Sequence, residues 1–308
     1  MGICVFWWAG PDLNRRPSAC QADVELLSEK NFNQEIRAFL LRFYDFVVVD
    51  LRRTERTAKE KVRYVRKFLE ATGKNPLGMT REDARGYLKG LNGVGISTYS
   101  NTLKSLKVFF RDFLQRPEVV ASFKFPSEPF KPKKIPTREE LQSFYEAIGS
   151  LKQKAVFLVY ASSGLRRNEV LRLKRENVDF ALRMIIPQKE ESETKHSWVS
   201  FYNTETEKVL KEYLRKKKPS RSLRLFPMAR EEERKLWRSA RQKTGLEITP
   251  KVLREWFCEE MGRLGVAERY IDAFCGRTPK SVLARHYSDF SPKKLKAIYD
   301  KANLKVLP

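Results

Sequence analysis

The sequence predicts a mainly α protein in two domains: the first all-helical, the second mixed α/β but mostly helical with one small β-hairpin. Three observations predict it. Apolar residues recur at helical spacing, between clear start and stop signals, through most of the chain. A proline- and lysine-rich stretch, "FKFPSEPFKPKKIP", separates two helical regions as an extended linker would. One pair of β-like runs, "RMIIPQ" and "SWVSFY", brackets the polar segment "KEESETKH". A length of 308 residues suits two domains, each able to bury a core, and 41% hydrophobic with 12% aromatic content fits a folded chain.

The elements follow in order. Residues 1–25 form an irregular opening, and 26–120 a helical domain. "ADVELLSEKNFNQEIRAFLLRFYDFVVVDLRRT" reads as helix. In "TERTAKEKVRYVRKFLEATG", Val62, Val65 and Leu69 share a face, Lys61, Arg63, Arg66 and Lys67 lie largely away from it, and Gly73 with Asn75-Pro76 stops the helix. Thr80 and Asp83 stand at capping-box spacing before a helix that ends at Asn92-Gly93. "STYSNTLKSLKVFFRDFLQRP" then places Tyr99, Leu103, Leu106, Phe110 and Phe113 on one stripe and Lys104, Lys107 and Arg111 on another. Residues 121–136 are the linker, carrying Lys131, Lys133 and Lys134. Thr137 and Glu140 form a second capping box that opens the domain 137–308. Helices at 138–149, 152–163 and 167–176, the hairpin, and four or five further helices complete it.

Charge narrows the function. Lys and Arg number 62 against 38 Asp and Glu, a net +24. A charge this large attracts polyanions, and nucleic acid is the expected partner. No stretch is long and apolar enough for a membrane helix, and the run Ile3–Ala9 is too short, and lacks the basic flank, for a secretory signal. Phe6 stands where a myristoylation motif needs Ser or Thr. Cys4, Cys20, Cys258 and Cys275 show no metal or disulfide spacing, which suits a reducing cytoplasm. Two histidines are too few for a His-rich metal site.

Three stretches carry chemistry. In "ASSGLRRNEVLRLKRENVDF", Gly164 ends a helix and Arg166 sits at the start of the next, near amides that favour an anion, with Glu169 one turn on to anchor an arginine. In "TPKVLREWFCEEMGRLG", Lys251 and Arg254 share a helical face while Val252, Leu253, Trp256 and Phe257 bury the others. In "CGRTPKSVLARHYSDF", Arg277 precedes Tyr287, whose phenol ionises near pH ~10 in water. Neighbouring cations favour the phenolate, an activated nucleophile beside a clamped phosphodiester. Taken singly, each stretch reads equally as an ordinary solvated basic helix.

In order and rough spacing, "SSGLRRNEVLRL", a hairpin lysine, "KVLR", "CGR" and "HY" resemble the tyrosine recombinases, the phage integrase family. The resemblance is good over 138–300 and looser over the first domain. It implies a helical core-binding domain followed by a catalytic domain. It implies that Arg166 and Arg254 hold the scissile phosphate, that Lys189 (or Lys195) protonates the leaving 5′ oxygen, and that Tyr287 is the nucleophile, with Tyr299 a rival on an apolar stripe. Lys251 stands where the family commonly has histidine, and Arg277 where it has histidine or tryptophan. Arginine cannot act as a base, so the group that accepts the tyrosine proton stays open, His286 included. Lysine and arginine at these positions, with "GRTPKSVLARHY", are similar to archaeal integrases of the fusellovirus type.

The resemblance further implies a 3′-phosphotyrosyl intermediate without metal or nucleotide, and a tetramer on two DNA duplexes, with a monomer an option off DNA. It implies C-terminal tails exchanged between neighbours, while the apolar stripe of "SPKKLKAIYDKANLKVLP" equally suits capping its own domain. It implies location in an archaeal host cytoplasm, on the nucleoid. Lys61, Lys104, Lys107, Arg111, Lys131, Lys133 and Lys134 are then the expected DNA-binding residues. The opening also acquires a reading. The complement of the transfer-RNA T-arm consensus, GANTYGAAC, translates in one frame to Asp or Glu, Leu or Ser, then Asn, matching Asp12-Leu13-Asn14. Residues 1–25 would then encode an attachment site at a tRNA gene. Two alternatives stay open: a type IB topoisomerase-like strand transferase, and a non-catalytic DNA-binding protein of recombinase descent.

Overall fold

The structure is a computed structural model that describes residues 34–130, 132–187, 198–217, 222–277, 281–282 and 287–308. Residues 1–25, Lys131, Lys189, Lys195 and His286, each given a role above, lie outside the described residues. The chain divides into two compact units after Phe130, inside the stretch read as a linker.

The first unit is helical. Helix α1 spans Gln34–Val49 and α2 spans Glu55–Thr72. Thr54 caps α2 at one end, and at the other Gly73, at φ 63°, takes the left-handed conformation that glycine adopts without strain. Helix α3, Arg81–Gly90, starts with the Thr80–Asp83 capping box. Helix α4, Ile96–Lys107, does not continue as one α-helix to Gln115; it runs into a wider π turn, Val108–Phe113. The reason lies in two consecutive rings. Phe109 and Phe110 are both fully buried and meet edge-on with centroids 5.1 Å apart, which regular α spacing disfavours because successive side chains diverge. Around them Phe43, Phe68, Leu69, Leu103 and Leu106 complete the core, with Phe43 edge-on to Phe109 at 5.0 Å.

The second unit opens with α5, Arg138–Glu146, capped by Thr137 and Glu140, then α6, Leu151–Ser163, a helix buried along most of its length. A short α7, Arg167–Arg172, follows. Among the described residues the sheet has three strands in sequence order, not two: β1 Val178–Asp179, β2 Met184–Ile185 and β3 Ser200–Phe201, all antiparallel. β1 gave no sequence signal because two residues cannot show alternation. Helices α8 Thr204–Lys216, α9 Arg230–Thr244, α10 Pro250–Arg263, α11 Glu268–Phe274 and α12 Pro292–Ala302 follow. The core gathers Phe157, Phe201, Phe226, Phe257 and Phe274 around α6. From α12 onward Leu295, Tyr299, Ala302, Leu304 and Val306 are buried in the same core, so the tail packs on its own unit. Among the described residues no helix is long and apolar enough to cross a membrane.

Candidate active site

The site begins with a close approach of backbones. Gly164, at φ 62°, ends α6 so tightly against α10 and α11 that a Cβ there would lie 2.4 Å from the Phe257 ring and 3.1 Å from Cys275 Sγ. This sets three carbonyls around two guanidinium groups. Arg254 Nη1 donates to Gly164 O at 2.6 Å and Nη2 to Cys275 O at 2.7 Å. Arg166 Nη2 donates to Gly276 O at 2.9 Å, and its Nη1 donates to Glu169 Oε1 at 2.9 Å. Carbonyl dipoles orient Arg254 without cancelling its charge. Burial, reinforced by the nearby Arg166 and Arg277, pushes Arg254 below the usual arginine value, yet a guanidinium keeps its proton in proteins.

Arg166 is the residue that caps α7, as its place after Gly164 suggests. Glu169, only 7% exposed, closes the cap: its Oε2 accepts from the Arg166 amide at 2.6 Å. The carboxylate that satisfies the helix start also anchors the Arg166 side chain.

Arg166 and Arg254 open onto a cleft of about 610 Å³ that Lys251 also lines. Among the described residues, cations around it outnumber its one carboxylate, Glu247, seven to one. Arg234, Arg238 and Arg241 of α9 contribute three of them, and Arg241 pairs with Glu247. Such a cleft is built to take a polyanion. Lys251 is 81% exposed, 3.9 Å from Glu255, which in turn holds Lys133 at 2.5 Å. Arg277 sits beside the cleft lining, not in it. Its Nη1 donates to Asp272 at 2.8 Å, which raises its affinity for the proton, and its Nη2 lies 3.7 Å from Cys258 Sγ.

Tyr287 is 77% exposed and does not line the cleft. Its rival is placed firmly: Tyr299 is 2% exposed, donates to Ser162 O at 2.7 Å, and burial drives its phenol well above the ordinary value. Tyr299 is therefore a core residue.

The basic residues picked out for DNA are variously engaged. Lys134 pairs with Glu140 at 3.0 Å and Arg111 with Asp112 at 2.6 Å. Lys104 and Lys107 approach the Phe125 ring at 6.0 and 5.3 Å. Burial, with Arg53 and Lys104 nearby, pushes the Lys61 ammonium down. Sequence reasoning missed the α9 arginines, although "RKLWRSAR" carries them at one-face spacing. It also missed Glu233, which is fully buried, accepts from Tyr160 at 2.9 Å, and pairs with Arg167 at 2.5 Å. That pair ties α9 to the start of α7, next to Arg166.

Comparison with known proteins agrees with this layout. Residues 135–294, more than half of the chain, match the phage integrase family, and residues 39–118 match the phage integrase N-terminal SAM-like domain. The tyrosine recombinase XerA of Pyrococcus furiosus is 26% identical over 264 residues, covering 82% of this chain and 90% of that protein. XerA of Thermococcus onnurineus is 27% identical over 253 residues, covering 78% and 87%. Among solved structures, the Tn1549 transposon integrase in complex with circular intermediate DNA superposes with TM-score 0.63 at 17% identity, over 84% of this chain and 98% of that one. A lambda integrase dimer bound to a core site gives 0.60 at 14%, over 82% and 97%. A two-part helical fold, a cleft ringed by guanidinium groups, and a family match across most of the unit that builds it lead to one assignment: the chain belongs to the phage integrase family and is a tyrosine recombinase.

Proposed function

We propose that the chain is a site-specific DNA integrase in which Tyr287 attacks a phosphodiester held by Arg166 and Arg254. The observation that carries this reading is the three-carbonyl support of those arginines by Gly164, Cys275 and Gly276. Guanidinium groups so fixed match the oxygens of a phosphate and stabilise the added charge as phosphorus becomes five-coordinate. Tyr287 loses its proton and bonds to phosphorus, giving a 3′-phosphotyrosyl link; the 5′ oxygen leaves and takes a proton from Lys189. A 5′ hydroxyl from another strand then attacks the link and restores the phenol. The phosphoester energy is stored in the link, so rejoining needs no nucleotide. Lys251, at the cleft, and Arg277, beside it, add positive charge on the phosphate side. In this reading Tyr287, exposed and not part of the cleft lining, is brought to the phosphate by its own segment or comes from a second copy.

A nicked suicide duplex tests this. Wild type accumulates a covalent protein–DNA adduct, and Tyr287→Phe gives none. Arg166→Ala and Arg254→Ala lower adduct formation by about 10²–10³-fold or more while keeping salt-sensitive binding. An adduct that persists in Tyr287→Phe overturns the assignment of the nucleophile.

The finer reading is that residues 26–120 bind the core site, with Lys61, Lys104, Lys107 and Arg111 on its phosphates and Lys131, Lys133 and Lys134 following from the linker. The protein inserts viral or plasmid DNA at a tRNA gene in the cytoplasm of an archaeal host, as a tetramer on two duplexes that is monomeric off DNA. Residues 1–25 would be constrained as attachment-site DNA. Codons for residues 9–20 that match no host tRNA 3′ end overturn the last point. Light scattering of protein on two attachment duplexes checks the tetramer.

A further inference from the structure

At the edge of the core, near Arg254 and Arg277, lies a pair of thiols that the strand-transfer chemistry does not use. Cys258, on the α10 face one turn after Arg254, and Cys275, at the end of α11, are 17 positions apart in sequence, yet their sulfurs lie 3.5 Å from each other. Cys275 is fully buried against Gly164, and Cys258 is partly exposed. The guanidinium of Arg277 reaches to 3.7 Å from Cys258 Sγ. A partly exposed sulfur in a cationic setting, with a second sulfur packed behind it, is the arrangement of a reactive thiol and its resolving partner.

We propose that Cys258 and Cys275 are a peroxide-sensitive dithiol whose closure to a disulfide switches off strand cleavage at the adjacent arginine site. The proposal rests on the strand-transfer function given above. In the first step the Cys258 thiolate attacks one peroxide oxygen, the O–O bond breaks, and hydroxide leaves, giving a sulfenic acid on Cys258. In the second, Cys275 sulfur attacks the Cys258 sulfur, the S–O bond breaks, and the oxygen leaves as water with the Cys275 proton. Two thiols and one hydrogen peroxide thus give one disulfide and two waters. Thiolate character at Cys258 is independently favoured: the hydrogen bond from Cys275 and the Arg277 and Arg254 charges pull its thiol down to about 6.

Closure brings the sulfurs from 3.5 Å to ~2.05 Å, and the turn bearing Cys275 must follow. The carbonyls of Cys275 and Gly276 are the acceptors of Arg254 and Arg166. A misplacement of about 1 Å at such groups costs up to about 10²-fold in rate. Closure also removes the negative sulfur beside Arg277. Both changes act on cleavage and leave the DNA-binding surface of the other unit alone.

The test uses the full chain with Cys4→Ser and Cys20→Ser, so that only the two thiols of interest remain. After hydrogen peroxide, peptide mass analysis should find Cys258 linked to Cys275 with loss of two hydrogens. Adduct formation on the nicked duplex should fall about tenfold or more, duplex affinity should stay unchanged, and dithiothreitol should restore cleavage. Cys258→Ser and, separately, Cys275→Ser should each show no further fall on peroxide treatment, compared with their own untreated rate. Linkage absent from the peptide map, or present with cleavage undiminished, overturns the proposal even where a serine variant does not fold. Failure of the reduced protein to form any adduct would instead overturn the assignment of strand transfer.

Discussion

Among the described residues no carboxylate forms an ion pair with Arg254. Its Nη1 and Nη2 rest on main-chain oxygens, which suits the phosphate-holding role proposed for it. Lysine offers a point charge where this geometry needs a planar fork. Arg254→Lys is accordingly expected to lower adduct formation by about 10²-fold with little change in duplex affinity, measured by gel shift at fixed salt. Glu233 shows the opposite balance. It is fully buried and answers both Arg167 and Tyr160, so Glu233→Ala removes the carboxylate that pairs with a half-exposed Arg167 and leaves the Tyr160 hydroxyl on the Arg167 carbonyl at 3.2 Å. A cost of about 1–3 kcal/mol in urea unfolding is expected. Lys251→Ala, at a highly exposed side chain, should stay within about 0.5 kcal/mol. Local relationships were legible in the sequence: Arg166 after Gly164, Glu169 one turn on, Lys251 and Arg254 on one face. Glu233 with Arg167, and Cys258 with Cys275, were not, because their meeting depends on how helices far apart in sequence pack.

Among elements, the end of α6 is the most constrained. Gly164→Ala meets both a positive φ and a ring atom at 2.4 Å, so strain and overpacking add to about 2–4 kcal/mol. Because Gly164 O also holds Arg254, adduct formation should fall even at temperatures where the variant stays folded. Capping boxes at Thr80 and Thr137 were readable because they need only a four-residue pattern. The first also predicts a pH effect. The Lys74 ammonium at 2.5 Å, followed by hydrogen bonds from Thr80, pulls the Asp83 carboxyl from 3.8 to about 2. A carboxyl lowered by folding stabilises the fold above its unfolded value, and that contribution is lost as pH falls toward about 2. Thermal melts of wild type and Asp83→Asn should differ at pH 5 and converge by about pH 2. The π turn Val108–Phe113 was not readable, since an apolar run with paired phenylalanines fits a regular helix equally well until both rings are seen to be buried.

At the scale of the molecule, the tail matters most. Leu295, Tyr299, Leu304 and Val306 are buried, and Tyr299 packs on Phe201 and Phe274 at 5.6 and 5.8 Å. At about 1.5–3 kcal/mol for each such side chain, the tail contributes on the order of the whole 5–15 kcal/mol stability of an ordinary domain. A chain ending at Phe290 should therefore lose cooperative unfolding by calorimetry, unless a tail supplied by another copy takes its place. The fold class and the basic character were legible because they are sums over many residues. The path of the tail was not, because its apolar stripe suits its own unit and a neighbour's equally.

The oxygens that grip Arg166 and Arg254 belong to peptide groups, which every amino acid brings. Mutation at 275 or 276 can alter a side chain but cannot delete an acceptor, whereas gaining or losing one residue there would carry the acceptors out of reach. Chains that share only about a quarter of their residues with this one, as the two XerA recombinases do, can drift widely in composition without losing such acceptors, provided the length of that turn is inherited intact.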